Sequence, residues 1–131
     1  EGLHEWQPAR GPDAAIETAA RRGEEFLLVH RLYKSHRTGQ VVSAAMTRFS
    51  FPPRWVYDVM RALDYFQARQ AALDPRLDDA LALLRKKRRK DGFWNLQTRR
   101  TGRTFFEMET VGQPSRWNTL RALRILRWVG D

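Results

Sequence analysis

A chain of 131 residues with 42% hydrophobic residues is long enough to bury one core, so a single domain over residues 1–131 is expected. The absence of cysteine excludes disulfides, thiolate nucleophiles and cysteine-ligated zinc. The formal net charge is +9, and no apolar stretch approaches the roughly 20 residues that span a bilayer, so we expect a cytoplasmic protein without a transmembrane segment.

The chain begins at Glu1 without a methionine, and its opening, EGLHEWQPARGPD, is rich in glycine and proline. Such a composition is typical of a loop that leads out of a preceding element. We therefore expect the chain to be the C-terminal part of a longer protein.

The first half of the chain contains two helical patterns. Residues 13–34 place Ile16, Phe26 and Val29 at helical spacing, which predicts one helix even though a glycine stands at position 23. A second helix is expected after Pro52-Pro53, because proline suits a helix entrance. Its predicted apolar stripe is Trp55, Val59, Ala62, Leu63 and Phe66.

The second half contains two more helical patterns. Asp74 as N-cap and Pro75 at the first helical position predict a third helix, which Asp91-Gly92 ends. The core face predicted for this helix is Leu77, Leu81 and Leu84. The fourth helix is expected to start with Ser115 as its N-cap. Its predicted inward side chains are Trp117, Leu120, Leu123 and Leu126.

Long connections separate the two helices of each half. The first runs from Gly39 to Phe51, and the second holds the segments FWNLQ and RTFFEME on either side of residues 99–102, which predicts a short β-hairpin. Connections beyond about 12 to 15 residues usually bind something, carry local structure or are disordered. Because the second connection is rich in phenylalanine and tryptophan, we expect it to pack against the body of the protein.

The same arrangement occurs twice along the chain. Each half has a helix, a loop containing glycine, and an Arg-Trp pair that opens a second helix: Arg54-Trp55 in the first half and Arg116-Trp117 in the second. An Arg-Ala-Leu follows each pair, at 61–63 and at 121–123. Repeated helical hairpins bury their apolar faces mainly against their neighbours, so we expect an all-α fold of two hairpins, about residues 13–72 and 74–130.

The stretch LALLRKKRRKDGFWNLQ, a helix ending in Asp-Gly-x-Trp before an aromatic loop and another helix, resembles the repeat of squalene cyclases and prenyltransferase-like proteins. Gly92 and Trp94 match that repeat, Arg88 stands where the family has glutamine, and the earlier repeat keeps only Gly39. The resemblance covers about residues 14–129 and implies an α/α-toroid of inner and outer helices. It implies no chemistry, because the chain lacks the Asp-x-Asp-Asp acid motif of the cyclases and the cysteine zinc ligand of the protein prenyltransferases.

The resemblance also implies that the second and fourth helices are inner ones, with their amino ends at the mouth of a central cavity. The implied ligand-binding residues are Arg54, Trp55, Tyr57, Asp58, Trp94, Arg116, Trp117 and Asn118. Arginine beside tryptophan at a helix amino end suits a phosphate, carboxylate or sugar. The alternative is that each tryptophan packs between hairpins while its arginine bonds a loop carbonyl or an acid. We expect Trp55 and Trp117 to be mostly buried.

Positive charge is concentrated in residues 85–103, where nine cations face Asp91 alone and give a local charge of +8. Lys87, Arg88 and Lys90 are the candidate anion-binding residues of this basic cluster, which would suit phosphates or an acidic partner. Nucleic acid is not expected, because the cluster lacks the interleaved aromatic residues of a base-stacking platform. The alternative is a solvated helix end, since cations favour the negative end of the helix dipole.

Two acids and two histidines are the remaining candidates for chemistry. Glu107 and Glu109 alternate, so on a strand they would share one face and divide acid and base roles, as in glycoside hydrolysis. The alternative is that they pair with the arginines at 99, 100 and 103. His30 and His36 are six apart, a poor spacing for metal ligands on one helix face, and neither a metal nor a cofactor is expected.

The sequence favours a part of a cavity wall that binds an apolar or isoprenoid-like ligand, with aromatic surface and arginine anchors. One alternative is a non-enzymatic module that docks an acidic partner through residues 85–103, and another is a carbohydrate-active toroid that uses Glu107 or Glu109. Because two hairpins cover only part of a ring, we also expect contact with the upstream part of the same protein or with a second copy. The faces expected to make this contact carry Ile16, Phe26 and Val29 at one end and Ile125, Trp128 and Val129 at the other.

Overall fold

The structure, a computed structural model, describes residues 2, 5, 11, 13–54, 56–99, 102 and 105–131. Between residues 13 and 131 this described part contains four α-helices: α1 (Ala14–Val29), α2 (Val59–Ala68), α3 (Asp78–Lys86) and α4 (Arg116–Val129). Two short strands, β1 (Trp94–Asn95) and β2 (Pro114–Ser115), pair antiparallel. The predicted class, mostly helical with one short hairpin, is confirmed. None of the described helices is both long and apolar enough to cross a bilayer.

Local capping starts α1, and the backbone conformation after it sets its end. The Asp13 carboxylate accepts hydrogen bonds from the backbone N–H groups of Ala15 (2.8 Å) and Ile16 (3.1 Å). The helix runs through position 23 without a break but stops at Val29 instead of at residue 34. Arg31 and Leu32, at φ 43° and 66°, cannot continue an α-helix and reverse the chain direction.

α2 starts at Val59, later than the entrance predicted after the proline pair. Its N-cap is Asp58, whose Oδ1 accepts a hydrogen bond from the backbone N–H of Arg61 at 2.9 Å. Arg54 therefore lies in the turn before the helix, whereas Arg116 is the first residue of α4. The two arginines are therefore not at equivalent positions, and Trp55 lies outside the described residues.

Both helix starts predicted for the second half are confirmed. Asp74 caps a short 3-10 turn, Pro75–Leu77, that leads directly into α3. The Ser115 hydroxyl caps α4 by accepting a hydrogen bond from the backbone N–H of Asn118 at 2.9 Å. The end of α3 comes at Lys86, ahead of the predicted stop at Asp91-Gly92, because the chain first passes through a turn.

The core lies where α2, α3 and α4 meet around the fully buried side chain of Trp94. The face predicted for the third helix is buried as predicted, at Leu77, Leu81 and Leu84. The stripe predicted for the second helix is also buried at its described positions, Val59, Ala62, Leu63 and Phe66. Helical periodicity therefore identified the correct face of these two elements.

α4 turns a different face to the core from the one predicted. Trp117, Leu120 and Leu123 are 39%, 49% and 47% exposed, and of the predicted set only Leu126 is buried. The buried face also carries Asn118, Thr119, Ala122 and Ile125. The prediction was wrong because it followed the largest apolar side chains and passed over two polar ones.

The polar side chains of Asn118 and Thr119 are tolerated in the core because they form hydrogen bonds with backbone groups of β1. The Asn118 side-chain amide donates to the Asn95 carbonyl (3.2 Å), and the Thr119 hydroxyl accepts from the Trp94 backbone N–H (3.0 Å). Buried polar groups that find such partners avoid a desolvation penalty of about 1–3 kcal/mol. The register between α4 and β1 thus fixes the buried face of the helix.

The two long connections pair with each other. Ser50 and Thr98 form an isolated parallel bridge, and the backbone N–H of Gln97 donates to the Phe49 carbonyl at 3.0 Å. The first half and the second half of the chain are therefore joined through loop backbone as well as through helix packing.

The predicted hairpin has a different second strand. β1 comes from the predicted segment FWNLQ, but its partner is Pro114–Ser115, and residues 105–109 form no strand. Trp94 and Leu96 are buried, whereas Phe105 and Phe106 are 101% and 73% exposed. The expectation that the aromatic residues of this connection pack against the body is wrong for this phenylalanine pair.

Candidate functional site

An apolar groove of about 790 Å³ runs between α1 and α2. Its α1 wall includes small residues, and a Cβ placed at Gly23 would meet nothing within 4 Å, so the groove is open at that point. The described residues that line it are Gly2, Ile16, Ala19, Ala20, Gly23, Glu24, Phe26, Leu27, Tyr57, Arg61, Ala62 and Tyr65. The lining combines an apolar body with a few polar groups, as ligand pockets do.

Glu24, Tyr65 and Arg69 form the polar edge of the groove. The Oε1 atom of Glu24 accepts a hydrogen bond from the Tyr65 hydroxyl (2.7 Å) and another from Arg69 Nη1 (2.6 Å). The side chains of the Glu24–Arg69 ion pair are only 22% and 26% exposed, so it is less screened than a pair on the open surface. Burial raises the pKa of Tyr65, which keeps its hydroxyl protonated and donating at neutral pH.

Tyr57 is the member of the predicted ligand-binding set that lines this groove. Its hydroxyl donates a short hydrogen bond to the backbone carbonyl of Leu32, in the reversal after α1. Burial raises the pKa of Tyr57 well above its ordinary value of 10.0, and the neighbouring Asp58 carboxylate raises it further. Its phenol ring thus presents an apolar surface while its polar tip is held by the fold.

Asp58 serves the fold instead of a ligand. The side chain is fully buried, and its Oδ2 accepts hydrogen bonds from the backbone N–H (3.1 Å) and the hydroxyl (3.0 Å) of Ser50. Together with the bond to the Arg61 backbone, these contacts use both carboxylate oxygens. The implied role in ligand binding is therefore not supported for this residue, because no part of it is accessible.

The implied role in ligand binding is also not supported for Trp94 and Asn118. Both side chains are fully buried, and the Trp94 indole N–H donates to the Leu84 carbonyl at 2.7 Å. Neither reaches a cavity surface. The tryptophan of the repeat motif is a core residue, and the asparagine fastens α4 to β1.

Trp117 and Arg116 lie at the exposed start of α4. Trp117 stacks on the ring of Phe51, with ring centroids 5.0 Å apart and planes within 7°. It is 39% exposed, so the prediction that it is mostly buried is wrong. The ring packs against a loop and not between hairpins, while the side chain of Arg116 is exposed to solvent.

Arg54, Glu107 and Glu109 share a second cleft, of about 320 Å³, beside this stacked pair. Glu107 forms an ion pair with Arg99. Glu109 Oε1 accepts from the backbone N–H groups of Arg116 (2.8 Å) and Trp117 (3.4 Å) at the start of α4. One carboxylate is thus a partner for an arginine, as the alternative interpretation predicts, and the other caps a helix.

The basic cluster is divided among several protein contacts. Lys87 Nζ donates to Gln97 Oε1 (2.7 Å) and lies 5.2 Å from the Phe49 ring centroid, and burial lowers its pKa. The Arg88 guanidinium lies 5.6 Å from the ring of Trp94. Of the three candidate anion-binding residues, Lys90 alone is exposed without a protein partner among the described residues.

Two other cations of the cluster have acidic partners. Arg85 pairs with Asp131 (2.6 Å), and Arg89 pairs with Asp91 (2.8 Å). The arginines at positions 100 and 103 lie outside the described residues. The local +8 is therefore distributed over paired, stacked and exposed groups.

His30 and His36 are brought together by the reversal that follows α1. His36 Nδ1 lies 3.1 Å from His30 Nε2, and His30 Nδ1 lies 2.8 Å from the Phe26 carbonyl, which fixes the tautomer of that ring as an Nδ1–H donor. The two rings satisfy each other by a hydrogen bond. In the described part of the chain no three histidine, aspartate or glutamate side chains are grouped for a metal ion.

No family model, curated protein or solved structure matches this chain. Sequence reasoning missed the polar edge of the groove, because Glu24 and Tyr65 lie on different helices and their contact depends on how α1 packs beside α2. The signal that was available is the small-residue pattern at Ala19, Ala20 and Gly23, which leaves space on one face of a helix.

Proposed function

We propose that this protein binds an apolar or isoprenoid-like small molecule in the groove between α1 and α2, as part of the wall of an α/α-toroid. The groove itself carries the proposal. Its volume of about 790 Å³ falls within the range of roughly 300–1,000 Å³ that is usual for small-molecule sites. The toroid part of the proposal rests on the resemblance of the repeat to that family, and this analogy supports the proposal only because the family binds apolar ligands.

The chemistry of the lining favours an apolar guest. Ile16, Phe26, Leu27 and Ala62 offer hydrocarbon surface, and Phe26 is 62% exposed. Covering such surface with a ligand stabilises the complex by about 25 cal/mol per Å² of apolar area removed from water. Among the described lining residues, the polar side chains are Glu24, Tyr57, Arg61 and Tyr65, too few to bind a highly polar molecule over its whole surface.

The two alternative functions have weaker geometric support. An acidic partner would have to compete with the internal contacts of Lys87 and Arg88, and a carbohydrate-active site would need to release Glu107 from Arg99. The cleft beside Glu107 has a volume of about 320 Å³, less than half of the roughly 790 Å³ of the groove.

Filling the groove tests the proposal. We expect Gly23→Trp to weaken the binding of a neutral apolar dye, N-phenyl-1-naphthylamine, by at least about tenfold, because the indole occupies the open space above the α1 backbone. The helix should tolerate the change, since glycine is the poorer helix former by roughly 0.5 kcal/mol. Dye fluorescence measures the affinity.

The matched control is Thr18→Trp. Thr18 is exposed on the opposite side of α1, so the same ring placed there should leave dye binding unchanged. Equal dye affinity in the wild type, the control and Gly23→Trp would contradict the proposed site.

A further inference from the structure

The carboxylate at the edge of the groove uses its two oxygens unequally. Both hydrogen bonds to Glu24, from the Tyr65 hydroxyl and from Arg69, end on Oε1. No described residue donates to Oε2, although the side chain lines the groove and is 22% exposed. A carboxylate oxygen accepts hydrogen bonds only, so the groove presents an open acceptor next to its apolar body.

The charges around this oxygen select the kind of donor. Arg69 already balances the charge of Glu24, so a cationic head group would gain little net attraction at this pair. A fully ionised diphosphate has no hydrogen-bond donor and would bring its negative charge towards the Glu24 carboxylate. Either charged group would also lose its hydration beside the apolar lining, whereas a neutral hydroxyl donates to Oε2 without carrying a charge into the groove.

We infer that the ligand of this groove is an apolar alcohol, whose hydroxyl group donates to Glu24 Oε2 while its hydrocarbon body lies along the α1–α2 groove. The inference rests on the proposed function, since it names the chemical class that the same site accepts. The Glu24–Tyr65–Arg69 network makes the acceptor rigid before the ligand arrives, which lowers the entropic cost of binding.

A head-group series tests the inference. Farnesol, farnesyl diphosphate and farnesylamine share one hydrocarbon chain and differ in the charge of their head groups. Each is used to displace the naphthylamine dye from the wild-type protein. We expect farnesol to bind at least about tenfold more tightly than either charged analogue, because it alone supplies a hydrogen-bond donor without bringing a charge into the apolar groove.

Two neighbouring glutamates provide the variant and its control. Glu24→Gln keeps an oxygen on the side chain but removes its charge, and we expect farnesol affinity to fall by up to about tenfold, because a hydrogen bond to a carboxylate is stronger than one to a neutral amide oxygen. Glu25→Gln alters the next residue, which is exposed and pairs with Arg76 at 2.8 Å outside the groove, and it should bind farnesol as the wild type does.

The outcomes separate this inference from the function on which it rests. Equal affinity for the three analogues, or equal losses of affinity in Glu24→Gln and Glu25→Gln, would overturn the inference that the ligand is an alcohol. The groove would remain the proposed binding site in that case if Gly23→Trp still blocks dye binding. If neither the dye nor farnesol binds to the wild type, both the alcohol inference and the proposed function are overturned. This result is expected if a second copy or another segment of the protein fills the groove. The preference of the wild type for farnesol over the two charged analogues tests the inference even if Glu24→Gln fails to fold.

Discussion

At the scale of single residues, Tyr57 and Glu24 show how one side chain can serve the fold and the groove together. Tyr57 turns its ring to the groove while its hydroxyl holds the carbonyl of Leu32. Glu24 uses Oε1 to join α1 to α2 through Tyr65 and Arg69, and its Oε2 accepts no hydrogen bond from a described residue. The polar groups at this site are therefore positioned by contacts that the folded chain needs in any case.

The buried phenol of Tyr57 should make stability depend on alkaline pH. Its pKa is raised in the folded state, so its contribution is fully present below the unfolded value of about 10 and is lost as the pH rises towards the folded value. We expect the wild type to lose up to about 1.4 kcal/mol per pH unit above pH 10 relative to Tyr57→Phe. Urea unfolding of both proteins between pH 8 and pH 11 measures the difference.

At neutral pH the comparison has the opposite sign. Tyr57→Phe removes the hydrogen bond to the Leu32 carbonyl, so the variant should be less stable than the wild type by about 1 kcal/mol. A stability difference that stays constant from pH 8 to pH 11 would show that the phenol is not buried as described.

Residues whose partners are close in sequence were predictable, and residues whose partners are distant were not. Asp74 and Ser115 accept hydrogen bonds from backbone N–H groups two and three residues away, so the local pattern was enough to predict both caps. The exposure of Trp117 was not predictable, because its ring stacks on Phe51, which belongs to the other half of the chain. The same distance in sequence hid the polar edge of the groove.

At the scale of elements, α4 shows why periodicity alone can select the wrong face. Its arginines and leucines alternate around the helix, so a stripe of large apolar residues and a stripe of mixed residues both fit helical spacing. Arg121 adds to the ambiguity, because its side chain points back to α2 and pairs with Asp64 at 2.5 Å. Contacts with β1 and α2 decide which stripe is buried.

A pair of alanine substitutions on this helix tests the assignment. Ile125 is fully buried, so Ile125→Ala should destabilise the protein by about 2–5 kcal/mol through lost burial and a cavity. Leu123 is 47% exposed two residues earlier, and Leu123→Ala should cost less than about 1 kcal/mol. Thermal or urea unfolding measures both, and a larger loss for Leu123→Ala would restore the face predicted from the sequence.

At the scale of the whole molecule, the two outer edges keep apolar surface in water. On α1, Phe26 and Val29 are 62% and 41% exposed, as expected for an unpartnered face. At the other edge, the prediction that Ile125, Trp128 and Val129 form an unpartnered face is wrong. Ile125 is fully buried, and Trp128 and Val129 are partly buried against the core. The Trp128 indole N–H donates to the Ala71 carbonyl at 3.2 Å. The exposed apolar residues of α4 are instead Trp117, Leu120 and Leu123.

Charge limits how these edges can meet a second copy. The exposed face of α4 also carries Arg116, Arg124 and Arg127, and the helix has no acidic residue, so two α4 faces would repel each other. α1 carries exposed acids, Glu17 and Glu25, and exposed cations, Arg21 and Arg22, so its net charge is close to zero. A head-to-tail contact of α4 on α1 therefore joins apolar surface to apolar surface without the repulsion between two α4 faces, and such a contact does not close after two copies.

We therefore expect the isolated chain to self-associate with increasing concentration, without stopping at a dimer. Sedimentation equilibrium measures this, and Leu120→Glu and Phe26→Glu should each weaken the association, because each places a carboxylate in one of the two apolar faces. Val42→Glu is the control, since Val42 is 57% exposed in a loop away from both faces. Because Phe26 also lines the groove, a bound apolar ligand should compete with the second copy and lower the average mass. A well-folded monomer at high concentration would contradict this prediction and, with it, the interpretation of the chain as part of a toroid.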